Sequence, residues 1–192
     1  MSLILASNSQ IRRMMLEQAG VEFEIHSPEF DEGKAKRDGS SGEELALMLA
    51  EGKALACRAG PEDWVIGADS TVSVDGVRYS KPRDRDEAVR HLRDFSGKNM
   101  QLSSAVALAR EGRIDWSHAD TARLEIRPLG EAFIQHYLDQ EWPDVGYCVG
   151  VFRMEARGVT LFDRVEGSHF TILGMPLIPL LGALRARGLM PS

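Results

Sequence analysis

Cysteine is nearly missing from this chain: there are two in 192 residues, Cys57 and Cys148, and they form no CxxC or zinc-type spacing. A disulfide framework or a structural zinc site has no support, and both residues are expected to be free thiols in a reducing cytoplasm. The five histidines lack ligand spacing too, and His91 and His136 fall inside helical patterns, as structural or surface side chains. No stretch approaches ~18 apolar residues, so no membrane-spanning helix is expected. The apolar run at residues 3–6 is too short, and too poor in basic flanks, for a signal peptide. Long blocks of one charge are also lacking. With a net charge of −6, the chain does not have the basic surface that sequence-independent binding to DNA or RNA needs. One small anionic ligand in a local basic pocket remains compatible with that balance. There is no internal repeat and no low-complexity tract, and 192 residues fit one domain able to bury a sizeable core.

What is present is organised around Leu3-Ile4-Leu5-Ala6-Ser7-Asn8-Ser9-Gln10-Ile11-Arg12-Arg13-Met14-Met15-Leu16. It reads as a buried strand, a polar turn with Ser9 as N-cap, and a helix ending at Gly20. Arg12 and Arg13 stand in the first helical turn, where the helix dipole disfavours cations. Two readings stay open: an anion held between the helix start, the serines and the guanidinium groups, or two solvated arginines. Residues 21–25 alternate as a strand with one buried face, and the acidic loop that follows carries Glu32. Ser41-Gly42-Glu43-Glu44 is a capping-box sequence opening a helix with Leu45, Met48, Leu49 and Leu55, on which Lys53 lies.

In Val65-Ile66-Gly67-Ala68-Asp69-Ser70-Thr71-Val72, Asp69 interrupts an apolar strand. A carboxylate there needs a metal or a cation, or else satisfies a local backbone turn. Asp75-Gly76 is a hairpin signal, and Pro82 stiffens the loop that carries Lys81. Asp84 caps a helix with Ala88, Val89, Leu92 and Phe95 inward, closed by Ser96-Gly97. Residues 100–109 and 114–127 read as two long strands around the Glu111-Gly112 turn, and 131–140 as an amphipathic helix. Residues 156–162 read as a hairpin, and 165–177 as a Gly-containing loop running to Pro176 at the start of a last helix. Alternating strand and helix signals give an α/β class.

The ordered motifs resemble the Maf family of nucleoside triphosphate pyrophosphatases. The resemblance rests on Leu5-Ala6-Ser7-x-Ser9-x-x-Arg12, the Lys53-Ala54 pair, Ile66-Gly67-Ala68-Asp69, Lys81-Pro82 and the closing stretch around Gly174-Met175-Pro176. Each motif is weak alone; five in order from Leu3 to Gly188 are specific. The resemblance implies one Maf-like domain over 1–192, with a mixed twisted sheet flanked by helices in two lobes around a central cleft, as in inosine triphosphate pyrophosphatases. It implies hydrolysis of the α–β phosphoanhydride to a monophosphate and pyrophosphate, a divalent magnesium or manganese ion, a cytoplasmic setting and a possible homodimer. The site it implies has Asp69, Lys81 and Lys53 as catalytic residues and Ser7, Ser9, Arg12 and Arg13 at the substrate. Glu32 and Asp69 would hold the metal, and Ile11, Ser70 and Glu155 would set specificity. Two departures stand out: Ser80 replaces the usual Gly before Lys81, and no lysine matches the family's Lys-Ala-Gly near Tyr147 and Cys148.

Glu155, where the dTTP/UTP branch is expected to carry Gln, points to the 7-methyl-GTP branch. An ionised Glu only accepts hydrogen bonds, which suits the N1 and N2 donors of guanine. Phe152 is placed to stack on a cationic ring. The alternatives carried forward are a dTTP/UTP pyrophosphatase and a non-catalytic nucleotide-binding regulator of cell division.

Overall fold

The structure, a computed structural model, describes residues 1–31 and 42–191. Seven strands among these residues form one mixed sheet: β1 (Leu3–Ala6), β2 (Glu24–His26), β3 (Trp64–Val74), β4 (Val77–Tyr79), β5 (Asn99–Arg110), β6 (Arg113–Ile126) and β7 (Phe162–Glu166). The order is β2-β1-β3-β5-β6-β7, with β4 beside β3. β1 pairs parallel with both β2 and β3, whereas β3–β4 and β6–β7 are antiparallel. Six α-helices accompany them: α1 (Gln10–Gln18), α2 (Gly42–Ala56), α3 (Arg85–Phe95), α4 (Glu131–Glu141), α5 (His169–Leu173) and α6 (Leu177–Ala186).

The chain divides into two compact units, each described by itself. The first comprises Met1–Ser70, Ser103–Asp120 and Ser168–Ser192. β1 is buried on both faces, which is why it reads as an uninterrupted apolar run rather than an alternating one. One face is bulky: Leu3, Leu5, Ile66, Val106 and Leu108 pack with Met15 and Leu16 of α1 and Leu177, Leu180 and Leu184 of α6. Each such side chain, fully buried, contributes roughly 1.5–3 kcal/mol. The other face is small: Ala6, Ala105, Ala107 and Ala109 meet Ala46, Ala50 and Ala54 of α2. Small side chains let a helix approach the sheet closely, and Gly67 marks the tightest point. A Cβ at Gly67 would stand 2.1 Å from the Ala50 carbonyl oxygen and 2.6 Å from the Ala54 nitrogen.

The second unit comprises Thr71–Leu102 and Thr121–Gly167. Asp84 caps α3 by accepting from the Glu87 amide at 2.7 Å, as its position before the helix predicts. Asp75 and Gly76 both take positive φ (49° and 80°) in the β3–β4 turn, the conformation an Asp-Gly pair favours. Tyr79 meets Phe95 edge-on at 4.7 Å, and Tyr137 donates to the Val151 carbonyl at 3.0 Å. Val151 is a β-branched residue at φ 55°, held there by a fully buried setting.

Four sequence expectations are corrected. β2 spans only Glu24–His26, because the chain turns at positive-φ Gly20 and sends Val21 into the core before any strand forms. Leu55 is exposed, since it lies on the far side of α2 from Ala50 and Ala54. The hairpin at 156–162 is instead a 3-10 turn, Arg157–Leu161, leading into β7. Gly158 makes that turn: its amide donates to the Arg153 carbonyl at 3.1 Å, where a side chain would collide with backbone at 2.4 Å. The loop expected over 165–177 contains the end of β7 and the short helix α5, closed by Gly174 at φ 111°. The Ser41 end of the capping box lies outside the described residues.

Candidate active site

In the first unit, β3 carries Asp69 and α2 carries Lys53, and the two meet: Lys53 Nζ lies 2.8 Å from Asp69 Oδ2. Both side chains are only 13% exposed, so the pair is largely withdrawn from water and weakly screened. The cause is local. Residues 65, 67 and 69 share one face of β3, and Gly67 on that face admits α2 to van der Waals contact at Ala50 and Ala54. Lys53 stands between those contact points on the helix, which brings its ammonium to Asp69. The second carboxylate oxygen, Oδ1, accepts the Ser70 amide at 2.7 Å.

On the opposite face of the same strand stands Arg12, 9% exposed. Its Nη1 donates to the Ala68 carbonyl at 2.9 Å, its Nη2 to Ser70 Oγ at 3.1 Å and its Nε to the Gly174 carbonyl at 2.9 Å. Ser70 Oγ lies 2.8 Å from Ser104 Oγ, and Ser104 donates to the Thr171 carbonyl at 2.7 Å. Thr171 Oγ1 in turn donates to Asp120 Oδ2 at 2.6 Å. Gly174 closes this network: a Cβ there would lie 3.4 Å from Ser70 Oγ and 3.6 Å from Arg12 Nε.

The turn between β1 and α1 is also tied down. Ser7, buried, accepts the Ser9 amide at 3.2 Å, and Asn8 accepts the Ser27 hydroxyl at 2.7 Å. Ser9 occupies the N-cap with extended backbone, but its hydroxyl makes no capping bond, and no acidic residue sits in the first turn of α1. Arg13 pairs with exposed Glu17 one turn on, at 2.6 Å, and Ile11 is half-buried. Thus Arg12 and Arg13, adjacent in sequence, have separate fates: one is drawn into the protein and the other lies along its helix.

Lys81 and Glu155 belong to the second unit, and both are exposed. Lys81 lines a cavity of about 240 Å³ with Tyr79, Arg83, Glu87 and His91. Lys81 and Glu155 also converge electrostatically on Cys148. Burial pushes that thiol up to about 11, the negative charge of Glu155 adds to the rise, and the positive charge of Lys81 opposes it. Phe152 does not offer a ring for stacking: it is 6% exposed and packs edge-on against Phe162 at 4.9 Å, because the turn at Val151 directs it into the core. The exposed aromatic of this segment is Tyr147, at 74%. Glu32 lies outside the described residues. Among the described residues no group of three or more His, Cys, Asp or Glu could hold a metal ion. No helix among them is long and apolar enough to cross a membrane.

Sequence reasoning missed Ser104, Thr171 and Asp120 as members of this network, and quoted Gly174 only as part of the closing motif. The available signal was the Ser103-Ser104 pair inside the apolar run of β5, two hydroxyls where the neighbours on both sides are buried aliphatics.

A family model described as Maf-like protein matches residues 2–187. A 7-methyl-GTP pyrophosphatase of Rhizobium etli is 42% identical over 191 residues, covering 97% of this chain and 96% of its own. A nucleoside triphosphate pyrophosphatase of Sphingopyxis alaskensis is 44% identical over 199 aligned positions, covering 100% of both chains. Among solved structures, the Ham1 protein of Staphylococcus aureus is similar over 65% of this chain and 71% of its own, with 21% identity and a TM-score of 0.43.

Proposed function

This chain belongs to the Maf family, and we propose that it hydrolyses the α–β phosphoanhydride of a nucleoside triphosphate, with 7-methyl-GTP as the preferred kind of substrate. The observation that carries the reading is the Lys53–Asp69 pair, a carboxylate and an ammonium 2.8 Å apart and 13% exposed, brought together where Gly67 lets α2 approach β3. In this reading the oxygen of a water attacks the α-phosphorus, the bond from that phosphorus to the bridging oxygen breaks, and pyrophosphate leaves with the electron pair. Asp69 orients the water and accepts its proton. Lys53 balances the carboxylate and meets phosphate charge as a point cation. The amide-rich start of α1, with Ser9 and Arg13, is suited to phosphate oxygens because nothing acidic occupies its first turn.

For a divalent cation, the described residues offer Asp69 as a hard oxygen donor. Magnesium takes one or two carboxylates and completes its shell with water and phosphate oxygens, so this donor set fits a metal that is largely carried by the substrate. Asp69 would hold it, with Glu32 as the second carboxylate. When bound, the ion supplies charge neutralisation on the phosphates and the leaving group. We read the two units as parts of one Maf-like domain, because the family model runs through both, and the cytoplasm as its compartment.

Glu155 is the candidate selector of the base. It is exposed and acceptor-only when ionised, which suits the N1 and N2 donors of guanine and the positive ring of the N7-methylated base. The experiment is product analysis with 7-methyl-GTP, dTTP and UTP in the presence of magnesium or manganese, on the wild type and on Glu155→Gln. The expected outcome is pyrophosphate and monophosphate, with the highest kcat/KM for 7-methyl-GTP and a ratio that shifts toward dTTP and UTP in the variant. Orthophosphate as the only product, or no turnover with any nucleotide, sinks the activity. A wild type that prefers dTTP or UTP, or ratios unmoved by the substitution, removes Glu155 as selector.

A further inference from the structure

We propose that Ser70 and Ser104, gathered by Arg12, form a one-directional hydroxyl relay that positions Asp69. This rests on the reading of Asp69 as the proton acceptor. Proton counting gives the direction. A serine hydroxyl has one proton to donate. Ser104 commits its proton to the Thr171 carbonyl at 2.7 Å, so the 2.8 Å contact between the hydroxyls must be donated by Ser70. The competing acceptor for Ser70, the Gly174 carbonyl, is farther at 3.2 Å and already receives Arg12 Nε at 2.9 Å. Ser70 Oγ then accepts from Arg12 Nη2. The chain runs from Arg12 through Ser70 and Ser104 to the Thr171 carbonyl, each member polarising the next.

The relay acts on the strand at two points that bracket Asp69. Arg12 Nη1 holds the Ala68 carbonyl before it, and Arg12 Nη2 together with Ser104 holds the Ser70 side chain after it. With Ala68 and Ser70 fixed on one face, the carboxylate of Asp69 is aimed at the other, toward Lys53, and Ser70's own amide locks Oδ1 at 2.7 Å. Three of the five guanidinium N–H donors of Arg12 go to protein acceptors in this task. Ser104 and Thr171 are fully buried, beyond reach of a nucleotide. Ser104 is on this view a positioning residue, acting on Asp69 through Ser70.

The test uses the full chain with Ser104→Ala, Ser70→Ala and Ser70→Thr, the last keeping the hydroxyl on a residue that strands favour. Two readouts are taken. Steady-state kinetics with 7-methyl-GTP, dTTP and UTP are expected to show kcat about 10-fold lower or more for both alanine variants, KM within about twofold, unchanged ratios among nucleotides, and rescue by Ser70→Thr. Amide hydrogen exchange by NMR is expected to show the Ser70 amide exchanging about 10-fold faster in Ser104→Ala, while the amides of Val65 and Leu108 in the same unit keep wild-type protection. A merely structural hydroxyl would loosen all three amides together. Changed nucleotide ratios in Ser70→Ala would return Ser70 to the base. A Ser70 amide that exchanges at the wild-type rate in Ser104→Ala overturns the relay. Should the wild type release no pyrophosphate, the functional reading falls, and the exchange measurement still decides the relay. Should Ser104→Ala fail to fold, the Ser70→Ala and Ser70→Thr pair decides it by the same kcat split.

Discussion

At the scale of single residues, the site turns on one carboxylate whose two oxygens have different partners. Oδ2 faces Lys53 and Oδ1 the Ser70 amide, and each keeps a second lone pair for water or metal. Asp69→Asn retains the shape, but it keeps one acceptor oxygen where two now serve Lys53 and the Ser70 amide, and it removes the charge and the basicity. The expected outcome is a cooperative melting curve with kcat reduced by about 10²-fold or more, the range of a general base. A variant with near-wild-type kcat would remove Asp69 from the reaction. The identity of Asp69 was legible in the sequence because a carboxylate inside an apolar strand needs a reason. The different destinations of Arg12 and Arg13 were not, because both occupy the same helical turn and only the surrounding carbonyls of Ala68 and Gly174 distinguish them.

At the scale of elements, the decisive contact is α2 against β3. Gly67 has ordinary φ, so its role is space and not conformation: a methyl group would meet backbone atoms of Ala50 and Ala54, which cannot rotate away. Gly67→Ala is therefore expected to destabilise by ~3 kcal/mol, the upper end for overpacking. For a chain of this length that corresponds to a fall in Tm of roughly 6–12 °C. Because the displaced helix carries Lys53, activity should fall more steeply than the folded fraction; calorimetry and kcat on the same preparation measure both. Equal losses would show that Gly67 serves packing alone. Strand and helix positions were readable from apolar spacing wherever the pattern ran long. The short pieces were not: α5 and the three-residue β2 are set by positive φ at Gly174 and Gly20, and the 3-10 turn at Arg157–Leu161 by the backbone beside Gly158, in segments too short to show a period.

At the scale of the whole molecule, stability should fall in acid for identifiable reasons. Hydrogen bonding to Arg83 and to its amide holds Glu87 down to about 2, and hydrogen bonds from Arg93 and Gln135 do the same for Glu131, against an ordinary 4.5 for each. A folded pKa below the unfolded one means that the stabilisation is complete above about pH 4.5 and is lost as pH falls to about 2. Glu131 is exposed and Glu87 pairs with an exposed arginine, so the slope is shallow and flattens with salt. Burial lowers His91 below 6.5 as well, so its contribution is present above that value and declines as pH drops through it. The double variant Glu87→Gln, Glu131→Gln is expected to show a urea midpoint that declines less than wild type between pH 4.5 and 2. Parallel curves would show that neither pair contributes.

The sequence by itself determined the α/β class, the long strands and helices, and the candidacy of Asp69 and the serines after β1. These follow from local pattern: apolar period, caps, turn dipeptides, and a charge where an aliphatic belongs. Only the tertiary structure decided which of them meet. Lys53 and Asp69 are 16 residues apart, and Arg12 and Gly174 are 162 apart. No periodicity encodes such pairings, because they depend on how closely two packed surfaces approach and on how many acceptors a buried donor finds there. The same reason accounts for Ser104. A serine in a strand carries no signature of its partners, and its single proton acquires a direction only when the Thr171 carbonyl and Ser70 stand on either side of it.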